Sequence, residues 1–503
     1  MAIQSFTGLQ TALSGIEAAQ AELDTTGQNI ANESTPGYSR QQVVIADGNS
    51  LPLPAVSSTT GIGAQLGEGV SIEHITRVRD QFLDAQYRAQ NSTYSNSSTL
   101  HNILDQVQTA LGESDGTGLS TTLNKFWSAW TSLSQNPTST AAQQAVVSSG
   151  ASVASTLSQL SQQLDNVTGL QAQVQSQFNA LTAYNGDPAG DTVNGPVASD
   201  ASQIAQLNTE IVRAQASGQT PNNLLDQRDQ LIDDLSQYAT VSVNNNTDGS
   251  VTVYFGDDAT PGNRQHALVG LGVTDPSGSA SIPSGVDFTD NLVETNLDAS
   301  AGGQLGALKS LYDYDAVAGT ATGTLVNYTA DLDGVANDIA TTVNDAISNA
   351  DASGASAPPF FTGTTAATIA VNTAQIAFSS STAPYTATEA SFVAGLGDGS
   401  TESALNAPAP GPALGETDPN EAYNGLVTQI GSDVQSASSN QTTQQSLLTA
   451  INNQRESASG VSLNEELTNL ITFQQAYQAS ARMMTVIDNT LQTLISMGAS
   501  AGM

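Results

Sequence analysis

Apolar residues recur with alternating spacings of three and four at both ends of the chain. The N-terminal stripe consists of Phe6, Leu9, Leu13, Ile16, Leu23 and Ile30. The C-terminal stripe consists of Leu470, Phe473, Tyr477, Met484, Ile487, Leu491 and Leu494. A mean spacing of about 3.5 residues is the pattern of a coiled-coil seam, so each end is predicted to form a helix of roughly 25 to 30 residues. We expect these two helices to pair with each other; two separate core helices of a bundle are the alternative.

Helical periodicity also dominates residues 80–240. Its longest apolar stripe runs from Val153 to Leu181. An aromatic-rich cluster is interpreted as a core anchor, and its members are Phe126, Trp127, Trp130 and Leu133. The segment 222–239 predicts a further helix that carries acidic residues and Arg228 on its outer face.

The apolar period changes to two at residue 240. The segment TVSVNNNTDGSVTVYFG (240–256) predicts a β-hairpin that turns at Asp248-Gly249. Helical patterns return around 302–349 and from about residue 421 to the end, with a break near Ser459-Gly460.

Together these patterns predict a mainly α fold with β-rich insertions, of the α+β class. Paired terminal coiled-coil helices would join an elongated helical middle domain and outer β domains. The predicted terminal assembly domain comprises 1–50 and 455–503. The helical-bundle middle domain comprises 51–240, 302–360 and 421–454, and the variable β-rich insertions are 241–301 and 361–420.

The charge of the chain is acidic and unevenly spread. The formal net charge is -36, but residues 1–50 contribute only five acidic residues and one arginine. A strongly negative field repels phosphate backbones, so nucleic acid is excluded as a partner class. The two ends are nearly neutral and apolar-periodic, whereas the middle is acidic. This distribution is typical of ends that contact other protein molecules, although ordinary helices have a similar composition.

The sequence carries no targeting or membrane signal of the ordinary kind. The N-terminus, MAIQSFTGLQ, lacks the basic and apolar regions of a secretory signal peptide, and no apolar run is long enough to span a membrane. The chain has no cysteine, which excludes disulfides and thiolate chemistry. Cytoplasmic residence and export without a signal peptide both remain open.

No pattern of catalytic or ligand-binding residues stands out. The three histidines, His74, His101 and His266, are far apart and have no metal-ligand spacing. GIGAQLG (61–67) fails the phosphate-loop pattern at Leu66, and Asp331 with Asp333 lacks the remaining ligands of a calcium loop. We predict no catalytic, cofactor-binding or metal-binding residues, and a protein that is not an enzyme.

The first helix is predicted to end in a hinge at NIANESTPGYSRQ (29–41). Pro36 cannot extend a helix and biases Thr35 toward an extended conformation, while Gly37 accepts the positive φ of a type II turn. The chain would then enter an extended arm, QQVVIA. The hinge residues are Asn29, Asn32, Thr35, Pro36, Gly37, Tyr38 and Arg40. At this elbow, Tyr38 and Arg40 would contact either a neighbouring molecule or their own chain.

Both ends resemble one family of proteins. LSGIEAAQAELDTTGQNIANESTPGYSRQQVVI (13–45) and SGVSLNEELTNLITFQQAYQASARMMTVIDNTLQTLI (459–495) resemble the terminal signatures of the flagellar rod, hook and hook-associated family. Three segments are most similar to hook-associated members: SGVSLNEEL, FQQAYQASAR and NNLLDQRDQLIDDLS (222–236). The tract NESTPGYSR departs from the family pattern, which more often has Asn-Thr before Pro-Gly-Tyr.

The resemblance implies a structural protein of the bacterial flagellum that joins hook to filament and is needed for filament assembly. It would self-associate through its terminal helices, and contact hook protein and a second junction protein. It would leave the cell through the flagellar type III channel without a cleaved signal peptide, with an export chaperone on its C-terminal helix. Cofactors are not implied.

Two other functions are weighed against this one. Another axial component, such as hook protein or a distal-rod protein, would share the terminal motifs but is expected to lack the segments LLDQRDQL and SGVSLNEEL. A secreted surface-binding or glycan-active protein would place its activity in the β-rich insertions, and hydrolysis by the region 241–420 would favour it.

Overall fold

The computed structural model describes residues 2–48, 50–52, 65–67, 69–113, 116, 118–182, 195–256, 268–270, 285–286, 299–315, 319–350, 358–373, 384–397 and 419–500. Its α-helices are α1 (Ala2–Ala31), α2 (Gln81–Leu111), α3 (Leu119–Gln135), α4 (Thr140–Leu164), α5 (Leu170–Thr182), α6 (Pro196–Ala216), α7 (Asn222–Tyr238), α8 (Gly303–Leu311), α9 (Thr324–Ala350), α10 (Ala387–Leu396), α11 (Pro419–Ser459) and α12 (Leu463–Ser500).

The strands are short and antiparallel. They are β1 (Gln41–Asp47), β2 (Ser50–Pro52), β3 (Gln65–Gly67), β4 (Val70–Arg77), β5 (Val241–Asn245), β6 (Val251–Phe255), β7 (Val269–Gly270), β8 (Gly285–Val286), β9 (Asp313–Asp315), β10 (Thr320–Thr322), β11 (Phe361–Thr362) and β12 (Ala370–Val371). One sheet has four strands in the order β5-β6-β7-β8, and every other sheet formed by the described residues is a pair. The mainly α fold with β elements is therefore confirmed.

The predicted helical ends and the break between the last two helices are present. Helix α1 covers the N-terminal stripe, and α12 covers the C-terminal stripe. The break falls between Ser459, the last residue of α11, and Leu463, the first of α12. The hairpin predicted at 240–256 is formed by β5 and β6, and Gly249 in its turn has φ +85°.

The extended arm that follows the hinge is strand β1, which pairs with β4. Gln41 faces Arg77 and Asp47 faces Val70, with a bulge between Val44 and Ile45. Because β4 leads directly into α2, this pairing lays the arm beside the start of the helical body. We use "body" for helices α2 to α11 and the strands between them.

The core of the body includes the predicted aromatic anchor. Phe126 and Trp130 are fully buried, and both pack against Phe360 with inclined rings; the ring centroid of Phe360 lies 5.2 Å from that of Trp130. Phe361 and Tyr385 complete the cluster. The interpretation of this cluster as a core anchor is confirmed, and it ties α3 to the segment around β11.

Two features of the middle of the chain differ from their predictions. Helix α10 lies within 361–420, which is predicted to be β-rich, and the strands of this segment are β11 and β12 among the described residues. The prediction that α7 carries its charges on an outer face is wrong. Asp226, Arg228 and Asp233 are buried, because charged residues from other segments pack against that face.

Candidate functional site

The two terminal helices lie side by side in opposite directions. The Asn29 side-chain amide donates to Glu466 Oε2 at 3.1 Å near one end of the pair. Further along, a Cβ built on Gly15 would lie 3.0 Å from Ser480 Oγ, and one built on Gly8 would lie 3.4 Å from Ile487 Cδ1. A shift of seven residues toward the C-terminus on α1 corresponds to a shift of seven residues toward the N-terminus on α12. The antiparallel register is therefore constant along the pair.

The C-terminal stripe is the face of α12 that lies against α1. Its described members are half-buried except Tyr477, which is 39% exposed: Leu470, Phe473, Met484, Ile487 and Leu491. The side chain of Leu494 lies outside the described residues. The facing positions of α1 are mostly small, and Ala12, Ala19 and Thr26 are buried there. Large side chains on one helix therefore pack into the space left by small ones on the other, which permits close approach.

The N-terminal stripe lies on a neighbouring face of α1. Leu9, Ile16, Leu23 and Ile30 each follow by one residue a position that approaches α12, and one residue is about 100° around a helix. These four side chains are half-buried, Leu13 is 46% exposed, and the side chain of Phe6 lies outside the described residues. The structure brings most of the C-terminal stripe into the helix pair and leaves the N-terminal stripe partly exposed on the neighbouring face, with Leu13 the most exposed of its described members.

The opposite flank of α1 is covered by the β1–β4 pair. Ser14 Oγ accepts a hydrogen bond from the Val70 amide at 3.2 Å. Ala18 and Thr25, on the same flank, are buried. Helix α1 is thus held by α12 on one face and by strands on a second, and its apolar third face carries the N-terminal stripe.

The hinge contains the turn that its sequence predicts. The Tyr38 amide donates to the Thr35 carbonyl at 3.2 Å, and Gly37 in the third position has φ +79°. Pro36 occupies the second position, as a type II turn favours. Asn32 supports the turn locally, because its side chain donates to the Gln28 carbonyl and accepts from the Thr35 hydroxyl.

Asn29 is the hydrogen-bonding centre of the hinge. Its amide nitrogen donates to the Gln41 carbonyl at 2.9 Å as well as to Glu466. Its amide oxygen accepts from the Gln41 amide and from the Tyr38 hydroxyl, both at 2.9 Å. A side chain that is 2% exposed therefore uses two donors and two acceptors to join the end of α1, the start of β1 and the start of α12.

Tyr38 and Arg40 both contact their own chain. Arg40 Nη1 pairs with Glu465 Oε2 at 2.9 Å, and the Arg40 amide donates to the Ser459 carbonyl. Burial raises the pKa of Tyr38 to about 12, and the negative charges of Asp226 and Glu466 add to that effect. The described contacts of Tyr38 and Arg40 therefore correspond to one of the two predicted roles, contact with their own chain.

Replacing Asn29 with alanine is expected to loosen the hinge while the body stays folded. The change leaves the buried polar groups of Gln41 without partners, which costs about 2–3 kcal/mol. Amide hydrogen exchange at Gln41 is expected to accelerate roughly a hundredfold. The matched variant Asn32→Ala, which removes only a half-exposed local contact, should change exchange at Gln41 little; equal acceleration by both variants would contradict the central role of Asn29.

The stability contribution of the Tyr38 hydroxyl is expected to depend on alkaline pH. The folded pKa of about 12 lies above the ordinary value of 10, so the contribution is complete below pH 10 and is lost as the pH rises toward 12. The difference in melting temperature between the wild type and Tyr38→Phe should be constant up to about pH 9 and shrink above about pH 10. A difference that does not vary over this range would disprove the assignment.

Behind the hinge lies a buried ion-pair network that the sequence did not reveal. We define it as Arg77, Arg79, Arg88, Arg455, Asp84, Asp226, Asp229 and Asp233. Arg77 Nη1 lies 2.8 Å from both Asp226 and Asp229, and Arg79 Nε lies 2.6 Å from Asp84. Arg88 Nε lies 2.6 Å from Asp233, which also pairs with Arg455. Burial opposes ionisation of Asp229, but Arg79, Arg77 and Arg88 outweigh it and lower its pKa.

This network connects the hinge to β4 and to three helices of the body, α2, α7 and α11. Ser39 donates its hydroxyl to Asp226 at 2.8 Å, which links the hinge to α7. The arginines come from β4, from the loop before α2, from α2 and from the end of α11, where Arg455 also stacks over the Tyr87 ring at 3.9 Å. The sequence contains one feature that indicates clustered ion pairs. Three of only 11 basic residues fall within 77–88, and another, Arg228, lies among the acidic residues of 222–239.

Among the described residues, no group of three or more His, Cys, Asp and Glu side chains is placed to hold a metal ion. His74 and His101 are separate and half-buried, and His266 lies outside the described residues. Within the same part of the chain, no helix is both long and apolar enough to cross a membrane.

Three family descriptions match segments of the chain. "Flagellar hook-associated protein FlgK helical domain" matches residues 104–361, which is about half of the chain. "Flagella basal body rod protein" matches 9–38, and "Flagellar basal body rod FlgEFG protein C-terminal" matches 452–497. The two rod-type matches coincide with α1 and its hinge and with α12.

Relatives align along nearly the whole chain. Flagellar hook-associated protein 1 of Bacillus subtilis is 30% identical, and the alignment covers 98% of this chain and 98% of that protein. The protein of the same description from Escherichia coli is 26% identical over 97% of this chain and 99% of its own. Among solved structures, the flagellar hook junction protein FlgK from Burkholderia pseudomallei matches with 25% identity and a TM-score of 0.39, over 55% of this chain and 46% of that one. The chain belongs to the flagellar hook-associated protein 1 family.

Proposed function

We propose that this chain polymerises through its terminal helices at the junction between hook and filament, and that filament assembly needs it. The family is one of structural components of the bacterial flagellum, which supports a structural rather than a catalytic role. The observation that carries the proposal is the open face of the helix pair. The N-terminal stripe stays partly exposed on a single chain, where other subunits could cover it.

Helix α12 adds further apolar surface for assembly. Leu467 and Ile471 are 50% and 55% exposed, and each follows by one residue a position that faces α1, so they lie about 100° around the helix from that face. Large exposed apolar side chains on one helix are typical of a surface that is buried in a complex. We assign the faces around α1 and α12 to contacts between copies of this chain, with hook protein and with a second junction protein.

The remaining parts of the proposal concern export and domain arrangement. The chain would leave the cell through the flagellar type III channel without a cleaved signal peptide, with a chaperone bound to the apolar side of α12 by a helix-in-groove contact. The terminal assembly domain would comprise 1–50 and 455–503, the middle domain 51–240, 302–360 and 421–454, and the outer insertions 241–301 and 361–420.

A hook or distal-rod protein is disfavoured as the identity. The rod-type family matches are confined to 9–38 and 452–497, whereas the match to the hook-associated helical domain covers residues 104–361 of the body. The full-length alignments to hook-associated protein 1 support the same choice.

The test is the phenotype of cells that lack this protein. We expect hooks without filaments in electron micrographs, together with filament protein shed into the medium, and recovery of filaments when the full chain is supplied. Cells that lack the protein but carry normal filaments would refute the proposed role. Loss of the hooks as well would instead assign the chain to an earlier part of the axis.

A further inference from the structure

Next to the ion-pair network lies a polar cavity of about 540 Å³. It is open to solvent on one side and is lined by residues of β4, the start of α2, α7 and the β5–β6 hairpin. Four arginines line it, and we call it the arginine cavity after them: Arg77, Arg79, Arg88 and Arg228. Only two carboxylates line it, those of Asp84 and Asp229. Arg77, Arg79 and Arg88 are already paired with aspartates of the network, so Arg228 is the lining arginine that has no ion pair among the described residues.

Two of these arginines have unused hydrogen-bond donors. Arg88 is 7% exposed and Arg228 is 4% exposed. Arg88 Nη2 and Arg228 Nε have no hydrogen-bond acceptor among the described residues, although Arg88 Nη2 lies 3.6 Å from Asp229 Oδ1. A buried donor without an acceptor is costly, and more so when it is charged.

Arg228 is the more isolated of the two. Its Nη1 donates to Asn208 Oδ1 at 3.0 Å and to the Gly249 carbonyl at 2.9 Å, both neutral acceptors. No described carboxylate forms an ion pair with it. Burial lowers the pKa of Arg228 to about 10; Asp229 opposes this, while Arg77 and Arg88 lower it further. The site thus contains a buried cation whose charge an added anion would compensate.

We propose that the arginine cavity binds a small oxyanion of the phosphate or sulfate class. A guanidinium group presents parallel N–H donors that match two oxygens of such an ion, and each charge-assisted hydrogen bond is about twice as strong as a neutral one. Thr76, Thr220 and Ser250 also line the cavity and add hydroxyl groups. The bound ion would join β4 and α2 to α7 and the β5–β6 hairpin, directly beside the network that anchors the hinge.

The test is isothermal titration calorimetry of the full chain with sodium phosphate at constant ionic strength. We expect saturable binding of one ion per chain with a dissociation constant of about a millimolar or tighter. General attraction of phosphate is opposed by the net charge of -36, so saturable binding requires a local site. Absence of saturable binding would overturn the proposal.

Substitutions on the cavity wall locate the ion. Arg228→Gln is expected to weaken phosphate binding about tenfold, the contribution of one charge-assisted hydrogen bond. Arg213→Gln, an exposed arginine at the end of α6, is the control with the same loss of charge and should bind as the wild type does.

A second set of variants leaves every arginine in place. Ala85 is exposed on α2 and lines the cavity, so Ala85→Glu supplies a tethered carboxylate that competes with the ion. Binding should be lost in Ala85→Glu and kept in the neutral Ala85→Gln and in Ala89→Glu, one turn further along α2. Binding that persists unchanged in both Arg228→Gln and Ala85→Glu would place the ion elsewhere and refute the arginine cavity as its site.

Discussion

Cells that carry Phe473→Asp are expected to make hooks but no filaments, while the purified chain keeps a normally folded body. Phe473 lies beside Glu22 and Thr26 in the space between α1 and α12. An aspartate there replaces apolar contact with a charge, next to a glutamate whose pKa burial already raises. The lost burial and the added repulsion should cost the helix pair about 3 kcal/mol, which reduces the paired population by roughly a hundredfold.

The measurement separates assembly from folding. Filaments are counted by electron microscopy, and the body is followed through the fluorescence of the two tryptophans, Trp127 and Trp130, which are buried in its core. Thr472→Asp adds the same charge to an exposed position of α12 that lies about 100° around the helix from both Phe473 and Ile471, and it should leave filaments intact. Normal filaments with Phe473→Asp would show that assembly does not depend on this face. A lower melting temperature of the tryptophan signal would mark the stripe as part of an ordinary core.

The second large effect is expected from Asp233→Asn, which should destabilise the body itself. Asp233 is 5% exposed and is the nearest carboxylate to both Arg88 and Arg455, so its neutralisation removes the main counter-charge of a buried and a half-buried arginine. Removal of one partner of a buried ion pair costs about 3–5 kcal/mol. At about 2–4 °C per kcal/mol for domains of moderate size, the calorimetric melting temperature should fall by roughly 10 °C.

The neighbouring residue, Asp234, provides a control for which no loss of stability is expected. Asp234 is half-exposed, and burial together with the charge of Asp233 raises its pKa, although a hydrogen bond from Gln230 opposes this. Its charged form is thus disfavoured in the fold, and Asp234→Asn should be neutral or slightly stabilising. Equal melting temperatures for Asp233→Asn and Asp234→Asn would rule out a stabilising role for the ion-pair network.

The elements could be predicted where one short segment determines its own structure. The break at Ser459-Gly460, the turn at Asp248-Gly249 and the turn around Pro36-Gly37 each depend on local backbone preferences, and each is present in the structure. The C-terminal stripe was readable for a related reason, because large apolar side chains at coiled-coil spacing mark the face that packs.

The face of α1 that meets α12 could not be predicted from apolar periodicity. Gly8, Ala12, Gly15 and Ala19 carry little hydrophobic signal, and their value lies in how closely they let another helix approach. That property depends on the partner's shape. The larger residues beside them gave the stronger pattern and marked a different face of the helix.

The buried charges of α7 were missed for a different reason. An acidic, Arg-containing helix ordinarily places such residues in solvent, which is how 222–239 was interpreted. Asp226 and Asp233 are buried and Asp229 is half-buried, because Arg77, Arg79, Arg88 and Arg455 converge on them from positions far along the chain. No local pattern encodes a pairing between residues more than a hundred positions apart.

The close approach of Gly15 to Ser480 also makes a covalent latch feasible. A Cβ built on Gly15 would lie 3.7 Å from Ser480 Cβ, within the spacing of about 3.5–4.5 Å that a disulfide requires. The chain contains no cysteine, so Gly15→Cys with Ser480→Cys would introduce its only two thiols. Oxidation would then link the two ends of the polypeptide covalently, and a reductant would release them. The close approach of two small residues would thus allow chemical control over the opening of the terminal helix pair.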